Sequence, residues 1–167
     1  MIELIRGSLT YLRPIEADDL ELISVWENNP EFWEISEHSG PLTSELLKAF
    51  IEGSSDMIRD GQIRYIIHDH DSNAIGALDI FDYDSHLKSG GIGILIAESE
   101  DRRKGFANDA LHSFLAHQKI TRELLLIRSL IHVSNNASIA LFLKNGFRKM
   151  GTKYYKGREA IQFVWEN

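Results

Sequence analysis

Six consecutive residues, Arg102-Arg103-Lys104-Gly105-Phe106-Ala107, carry the clearest chemical signal in the chain. Three cations precede a glycine and a small residue, where an apolar strand pattern gives way to a helical one. The N–H groups of a first helical turn lack intrahelical acceptors and carry a partial positive charge. Gly105 and Ala107 let a ligand approach the backbone closely, and the cations add attraction. The combination suits a phosphate or pyrophosphate. The same residues would also serve as a solvated basic loop capping a helix.

The elements around this stretch follow from periodicity. Ser8 to Arg13 reads as a strand stopped by Pro14. Asp18 or Asp19 opens a helix with Leu20, Leu22, Ile23, Val25 and Trp26 on a broad apolar face, closed by Asn28-Asn29-Pro30. Residues 31–42 read as a loop. Thr43 or Ser44 caps a second helix, in which Leu47, Phe50, Ile51, Ser54 and Ile58 keep helical spacing up to Gly61. Two alternating strands follow, through Ile63, Tyr65 and Ile67 and through Leu78 and Ile80, separated by a turn at 68–73. Gly91 to Ala97 is a third strand. Ala107, Ala110, Leu111, Phe114 and Leu115 then mark a helix. Leu124 to Val133, almost continuously apolar, has the signature of a strand buried on both faces. Asn136 to Asn145 reads as a short helix, and 147–156 with 159–165 as a closing hairpin. A strand, helix and strand over 91–133 requires a parallel crossover, so a mixed sheet is expected.

The 167 residues correspond to about one domain. With 43% hydrophobic and 26% charged residues, the composition excludes a largely disordered chain or a fibrous repeat. The net charge of −7 argues against nucleic acid and favours a cationic, amine-bearing partner. The absence of cysteine excludes disulfides and thiolate nucleophiles and fits a reducing cytoplasm. No signal segment or apolar run of roughly 20 residues is visible, so no membrane association is expected. Gly90-Gly91-Ile92-Gly93 precedes its strand, whereas a dinucleotide-binding loop follows one. The seven histidines are scattered, His68 and His70 being the nearest pair, so no metal site is expected.

Arg102, Gly105 and Ala107 match motif A of the GNAT acyltransferases, Arg/Gln-x-x-Gly-x-Gly/Ala. About 30 residues on, Asn136-Ala-Ser-Ile-Ala-Leu-Phe-Leu-Lys-Asn-Gly-Phe147 resembles that family's Asn-x-x-Ala/Ser-x-x-Leu-Tyr-x-x-x-Gly-Phe segment. The chain resembles the branch containing spermidine and ribosomal-protein N-terminal acetyltransferases, from about Ser8 to Trp165. The resemblance implies a single α/β (α+β) domain over 1–167: a mixed, twisted sheet of about seven strands with helices on both faces. It implies acetyl-CoA as cosubstrate, a primary amine as acceptor, and a homodimer or higher homo-oligomer. Arg102, Arg103, Lys104, Gly105, Phe106 and Ala107 would hold the pyrophosphate. Leu95, Ile96 and Ala97 would meet the pantetheine where their strand splays from its neighbour, one N–H polarising the thioester carbonyl. Asn136, Phe142 and Lys144 would complete the cofactor contacts. Asn136 is equally placed to cap its helix.

One residue departs from the pattern. Phe142 stands where the family commonly has a tyrosine that protonates the leaving thiolate. A thiol has a pKa near 8.5, so the thiolate can leave unaided, with a loss of rate of roughly 10²-fold or more. Tyr154 or Tyr155 could substitute, but adjacent strand residues face opposite ways. The amine must also lose a proton. Glu31, Glu34 and Glu37 in the first loop, and Asp79, Asp82, Asp84 and His86 around the second hairpin, are candidate bases, each also explicable as a solvated residue. Asp79, Tyr154 and Glu34 are the catalytic expectations. Trp33 could stack on an acceptor, whereas Trp26 reads as core. A second function class remains open: an acyl-CoA-binding module that lost its general acid.

Overall fold

The computed structural model describes residues 3–32 and 40–167. Strands β1 (Ile5–Arg6) and β2 (Thr10–Pro14) lead through a tight turn into helix α1 (Leu20–Glu27). Helix α2 (Ser44–Glu52), the short strand β3 (Ser55–Asp56) and the one-turn helix α3 (Met57–Asp60) follow. Strands β4 (Gln62–Asp69), β5 (Ala74–Asp84) and β6 (Ser89–Ile96) form a meander. Helix α4 (Phe106–Thr121) crosses to β7 (Leu126–His132), and α5 (Asn136–Lys144) precedes the hairpin of β8 (Arg148–Tyr155) and β9 (Arg158–Glu166).

All strands join one mixed sheet, in the order β1-β2-β4-β5-β6-β7-β9-β8, with β3 paired to β4. The described residues form nine strands against the expected about seven, the two extra being β1 and β3, two-residue pieces too short for periodicity to reveal. β6 and β7 are the parallel pair, as the crossover demands. Helices cover both faces. On one face Ala110, Leu111, Phe114 and Leu115 of α4 and Phe142 of α5 pack on Leu12, Ile67, Leu78, Ile80, Ile92, Ile127 and Phe163. On the other, Ile23 and Trp26 of α1 and Leu47 and Ile51 of α2 pack on Ile66, Ala77 and Ala97. Trp26 is therefore core.

Three expectations need correction. The second helix does not run to Gly61. Thr43 caps it as predicted, accepting from the Leu46 N–H, but it ends at Gly53. Asp56 then caps α3 by accepting from Ile58 and Arg59 N–H, so the apolar spacing from Leu47 to Ile58 spans two helices. Strand β7 is not buried on both faces: Ile127, Ser129 and Ile131 are buried under α4 and α5, while Leu126, Arg128, Leu130 and His132 are half-buried. Finally, α5 is capped by Asn135, whose side chain accepts from the Ser138 N–H, and not by Asn136, which is its first residue.

The sequence gives no hint of what anchors α4. Asp109, in its first turn, accepts hydrogen bonds from the N–H groups of Ser8, Leu9 and Thr10 and from the Thr10 hydroxyl, at 2.7–3.0 Å. The turn between β1 and β2 thus wraps one carboxylate, and a Cβ on Gly7 would overlap Asp109 Oδ2. Partial burial acts to raise the Asp109 pKa, but the hydrogen bonds outweigh it and hold the group below the ordinary aspartate range. A depressed folded-state pKa contributes stability that is present above the unfolded value of about 3.9 and lost as pH falls through the folded one. Asp109→Asn should cost about 2 kcal/mol at neutral pH by leaving donors unmatched. Its urea midpoint should converge on that of the wild type below about pH 4. A gap independent of pH would contradict the charged anchor.

Candidate active site

The parallel ladder between β6 and β7 is short. Ser89, Gly90 and Gly91 pair with Leu126, Ile127 and Arg128, and beyond them the backbones part. The Ser129 hydroxyl spans the start of the gap, donating to the Ile92 carbonyl at 3.1 Å. The polar groups of β6 alternate between its two neighbours. Ala97 N–H donates to Ile75 on the β5 side, and the Leu95 carbonyl lies so close to Gly76 that a Cβ there would overlap it. Residues 95 and 97 therefore turn their backbone groups to β5. Ile92 turns its carbonyl to β7, so Ile94 and Ile96 present theirs to the opening. Of the expected strand residues, Ile96 is thus the one whose N–H can meet a ligand in the gap.

The basic loop lies just past the end of β6. Arg103 and Gly105 have positive φ, 63° and 86°, and Gly105 is the N-cap of α4. Left-handed residues in such a loop turn successive N–H groups toward one concavity, an anion-binding arrangement that the first turn of α4 continues. Arg103, Lys104 and Gly105 are exposed, and Phe106 and Ala107 half-buried. Lys104 lies 3.6 Å from Asp101. Asn145, the C-cap of α5, donates to Asn108 at 3.0 Å and ties that helix end to the start of α4. Lys144 is therefore brought to the same end of the fold, on the surface.

Arg102 behaves differently from its neighbours. Its Nε and Nη2 donate to the carbonyls of Ile96 and Ala97 at 3.1 and 3.2 Å. Its Nη1 lies 2.9 Å from Glu31, and the guanidinium sits over the Phe32 ring. Arg102 thus fastens the end of β6 to the segment after α1, and Glu31 serves that pair. Glu34, Glu37 and Trp33 lie outside the described residues.

The other candidates are scattered. Tyr154 is 79% exposed at the hairpin end, on the α4 side of the sheet. Tyr155 faces the other way, with its ring 6.4 Å from that of His132. Phe142 is buried edge-on against Phe147, 4.8 Å between centroids, as part of the core. Asn136 is exposed. Asp84 accepts from the N–H groups of His86 and Leu87 and shapes the β5–β6 turn. That turn joins the other end of β6, about 23 Å from Ile96 at roughly 3.3 Å per residue, so Asp84 and His86 are out of reach of the opening. Asp82 lies in the irregular stretch leading to the same turn. His68 stacks on Tyr11 and bonds Ser72, and His70 bonds Ser8, so that pair is structural.

Asp79 sits opposite Gly93, on the α1 face of the sheet. Both its oxygens accept from Arg64, at 2.7 Å, and Glu27 takes a third guanidinium nitrogen at 2.6 Å. Arg64 also lies 4.7 Å over the Phe50 ring. Burial acts to lower the Arg64 pKa, and the charges of Asp79 and Glu27 outweigh it and raise it. Both oxygens of Asp79 are thus taken up by Arg64, and the carboxylate expected as a base stands as part of a fixed, polar wall. Periodicity could not find this trio, since its members are 15 and 37 residues apart. Among the described residues no cluster of three or more His, Cys, Asp or Glu could hold a metal. No helix among them is long and apolar enough to cross a membrane.

The sequence matches the domain model "Acetyltransferase (GNAT) domain" over residues 10–148. No protein of curated function matches it significantly. Among solved structures, ribosomal L7/L12 alpha-N-protein acetyltransferase in complex with coenzyme A aligns with a TM-score of 0.84 at 16% identity, over 98% of each chain. Spermidine N-acetyltransferase from Vibrio cholerae, in complex with CoA and spermine, gives 0.81 at 22%, over 96% of each. The acetyltransferase of Salmonella typhimurium that modifies the N-terminal serine of ribosomal protein L7/L12 gives 0.81 at 16%, over 99% of each. These are likenesses of fold, and they extend end to end. Because the domain model spans most of its length, the chain belongs to the GNAT acetyltransferase family.

Proposed function

We propose that this acetyltransferase moves the acetyl group of acetyl-CoA to a primary amine by direct attack. The observation that carries the reading is the parting of β6 and β7 next to the N-terminus of α4. A gap between strands that have left their ladder leads to a basic loop at a helix N-terminus, which suits a substrate with a thioester at one end and a pyrophosphate at the other. Arg103, Lys104 and the N–H groups of Gly105, Phe106 and Ala107 would hold the pyrophosphate. The backbone of Ile94 and Ile96 would hold the pantetheine arm, with Lys144 and Asn136 at the rim. Leu95 and Ala97 shape the strand, and Arg102 fixes its end.

The amine nitrogen attacks the carbonyl carbon, and the Ile96 N–H donates to the oxygen as it becomes negative. The carbon–sulfur bond then breaks, giving amide and thiol. Phe142 has no proton to give, and its buried ring fills the core in place of the family's tyrosine. Tyr154 points away from the opening and is not used. The acceptor enters from the α1 face, where Gly93 leaves open space beside Asp79. Two carboxylates share one guanidinium there, leaving a net negative charge that attracts a cationic amine. Two of the similar structures point to amine acceptors, a polyamine and a protein N-terminus. The cysteine-free sequence suits work in the cytoplasm.

Release of CoA thiol from acetyl-CoA with spermidine, a Ser- or Ala-starting peptide and an amino sugar tests the reading. Turnover on one class is the expected result. Tight acetyl-CoA binding without turnover on any would favour a binding module instead. Arg103→Glu together with Lys104→Glu should weaken CoA binding by about tenfold or more at low salt, with a smaller loss at high salt. Unchanged affinity would remove the pyrophosphate assignment. Arg64→Met, by leaving Asp79 and Glu27 without their counter-charge, should cost about 3–5 kcal/mol in urea unfolding. A loss below about 1 kcal/mol would show the trio to be screened by solvent.

A further inference from the structure

One titratable group at the opening has no part in the scheme above. Nδ1 of His132 is buried and has no hydrogen-bond partner among the described residues. A buried polar atom left unmatched is costly, so such an atom in a native fold calls for an explanation. His132 is the last residue of β7. Counting along the parallel pair from Gly91 opposite Arg128 places it level with Leu95, beside Ile96, across the gap. The alternation of β7 settles its direction. Ile127, Ser129 and Ile131 face α4, so His132 faces the α1 side, as Leu95, Gly93 and Asp79 do. An imidazole therefore stands on the acceptor face, at the height of the backbone groups that would receive the thioester.

We propose that His132 is the proton carrier of this acetyl transfer, an inference that rests on the N-acetyltransferase reading. As the amine nitrogen bonds to the carbonyl carbon, the neutral imidazole takes the proton that nitrogen must lose. When the carbon–sulfur bond breaks, the imidazolium returns the proton to the thiolate sulfur. Amine and thioester become amide and thiol, the imidazole is regenerated, and no other reactant is needed. The role covers both tasks left open by Phe142 and by the engagement of Asp79 with Arg64. Several ionisable groups face His132 on this side of the sheet. Ala160 of β9 is its partner, and beyond it on β8 lies Lys153. Tyr155 has its ring 6.4 Å away, with Arg158 opposite it. On β7 itself Arg128 is four residues back on the same face, and on the β6 side Leu95 and Gly93 carry no charge.

His132→Gln and His132→Ala test the proposal, with acetyl-CoA and the best amine of the panel. Both should lose at least about 100-fold in kcat while KM for acetyl-CoA stays within about threefold. Added imidazole should restore turnover to His132→Ala, increasingly as pH rises and its neutral fraction grows, and should not affect His132→Gln. A second readout is independent of turnover. The histidine ring resonance that disappears in His132→Gln should shift when CoA is added to the wild type. A kcat within about threefold of wild type, a resonance unmoved at saturating CoA, a missing imidazole rescue, or loss of CoA affinity in step with kcat would overturn the role. If the wild type binds CoA but turns over no amine, the N-acetyltransferase reading fails first, and the proton role falls with it.

Discussion

The parting of β6 and β7 is the constraint on which the rest of the structure depends. Parallel strands in a sheet ordinarily stay about 4.8 Å apart and bury their backbone groups in each other. Here the ladder holds for three pairs and then opens, turning the N–H groups of Ile94 and Ile96 and the Ile94 carbonyl to the gap, while the Ile96 carbonyl is taken by Arg102. Such groups need partners, and a bound chain with its own amides and carbonyls supplies them. The opening is maintained from both ends. Ser129 bridges its base to Ile92, while Arg102 ties the free end of β6 to Glu31 beyond α1. The latter bond also fixes where the basic loop begins, so strand end and basic loop are positioned by one side chain.

The two faces of the sheet divide the labour. The α4 face is a dense apolar core in which Phe114, Phe163, Leu78 and Ile80 are almost wholly buried. It holds α4 rigidly, and the wrapping of Asp109 by Ser8, Leu9 and Thr10 fixes that helix end. Among the described residues the α1 face is packed over Ile66 of β4, Ala77 of β5 and Ala97 past the end of β6, and Gly93, Leu95, Leu130 and His132 around the gap are half-exposed. The polar trio of Arg64, Asp79 and Glu27 stands at the boundary between covered and open sheet. A long cofactor-like substrate seated from the rigid side and an amine arriving from the open side would meet within the gap.

Much of this was legible in the residues themselves. Gly105 and the cations before it announce the start of α4 because a left-handed cap and a basic loop are local properties. The crossover from β6 to β7 was likewise forced by the strand–helix–strand pattern. What escaped was held by contacts distant in sequence. Asp109 looks like an ordinary first-turn aspartate until β1 and β2 fold onto it from about 100 residues away. Asp79 looks like a solvent-facing strand acid until Arg64 is seen beside it. His132 ends an apolar run in which nothing marks it as different, and only the register of β6 and β7 sets it across from Leu95. The faces of the two tyrosines were hidden for a related reason. Adjacent strand residues point oppositely, and only the pairing of Tyr155 with Arg158 and Lys153 with Ala160 shows which one shares a face with His132.

Amide hydrogen exchange with and without CoA tests the central claim most directly. If the gap and the adjoining helix start form the binding site, CoA should slow exchange at Ile94, Ile96 and Gly105 through Ala107. The amides of Leu95 and Ala97, already turned to β5, and those of the β8–β9 hairpin should change little. Protection confined to any other surface, with the gap exchanging as before, would contradict the account.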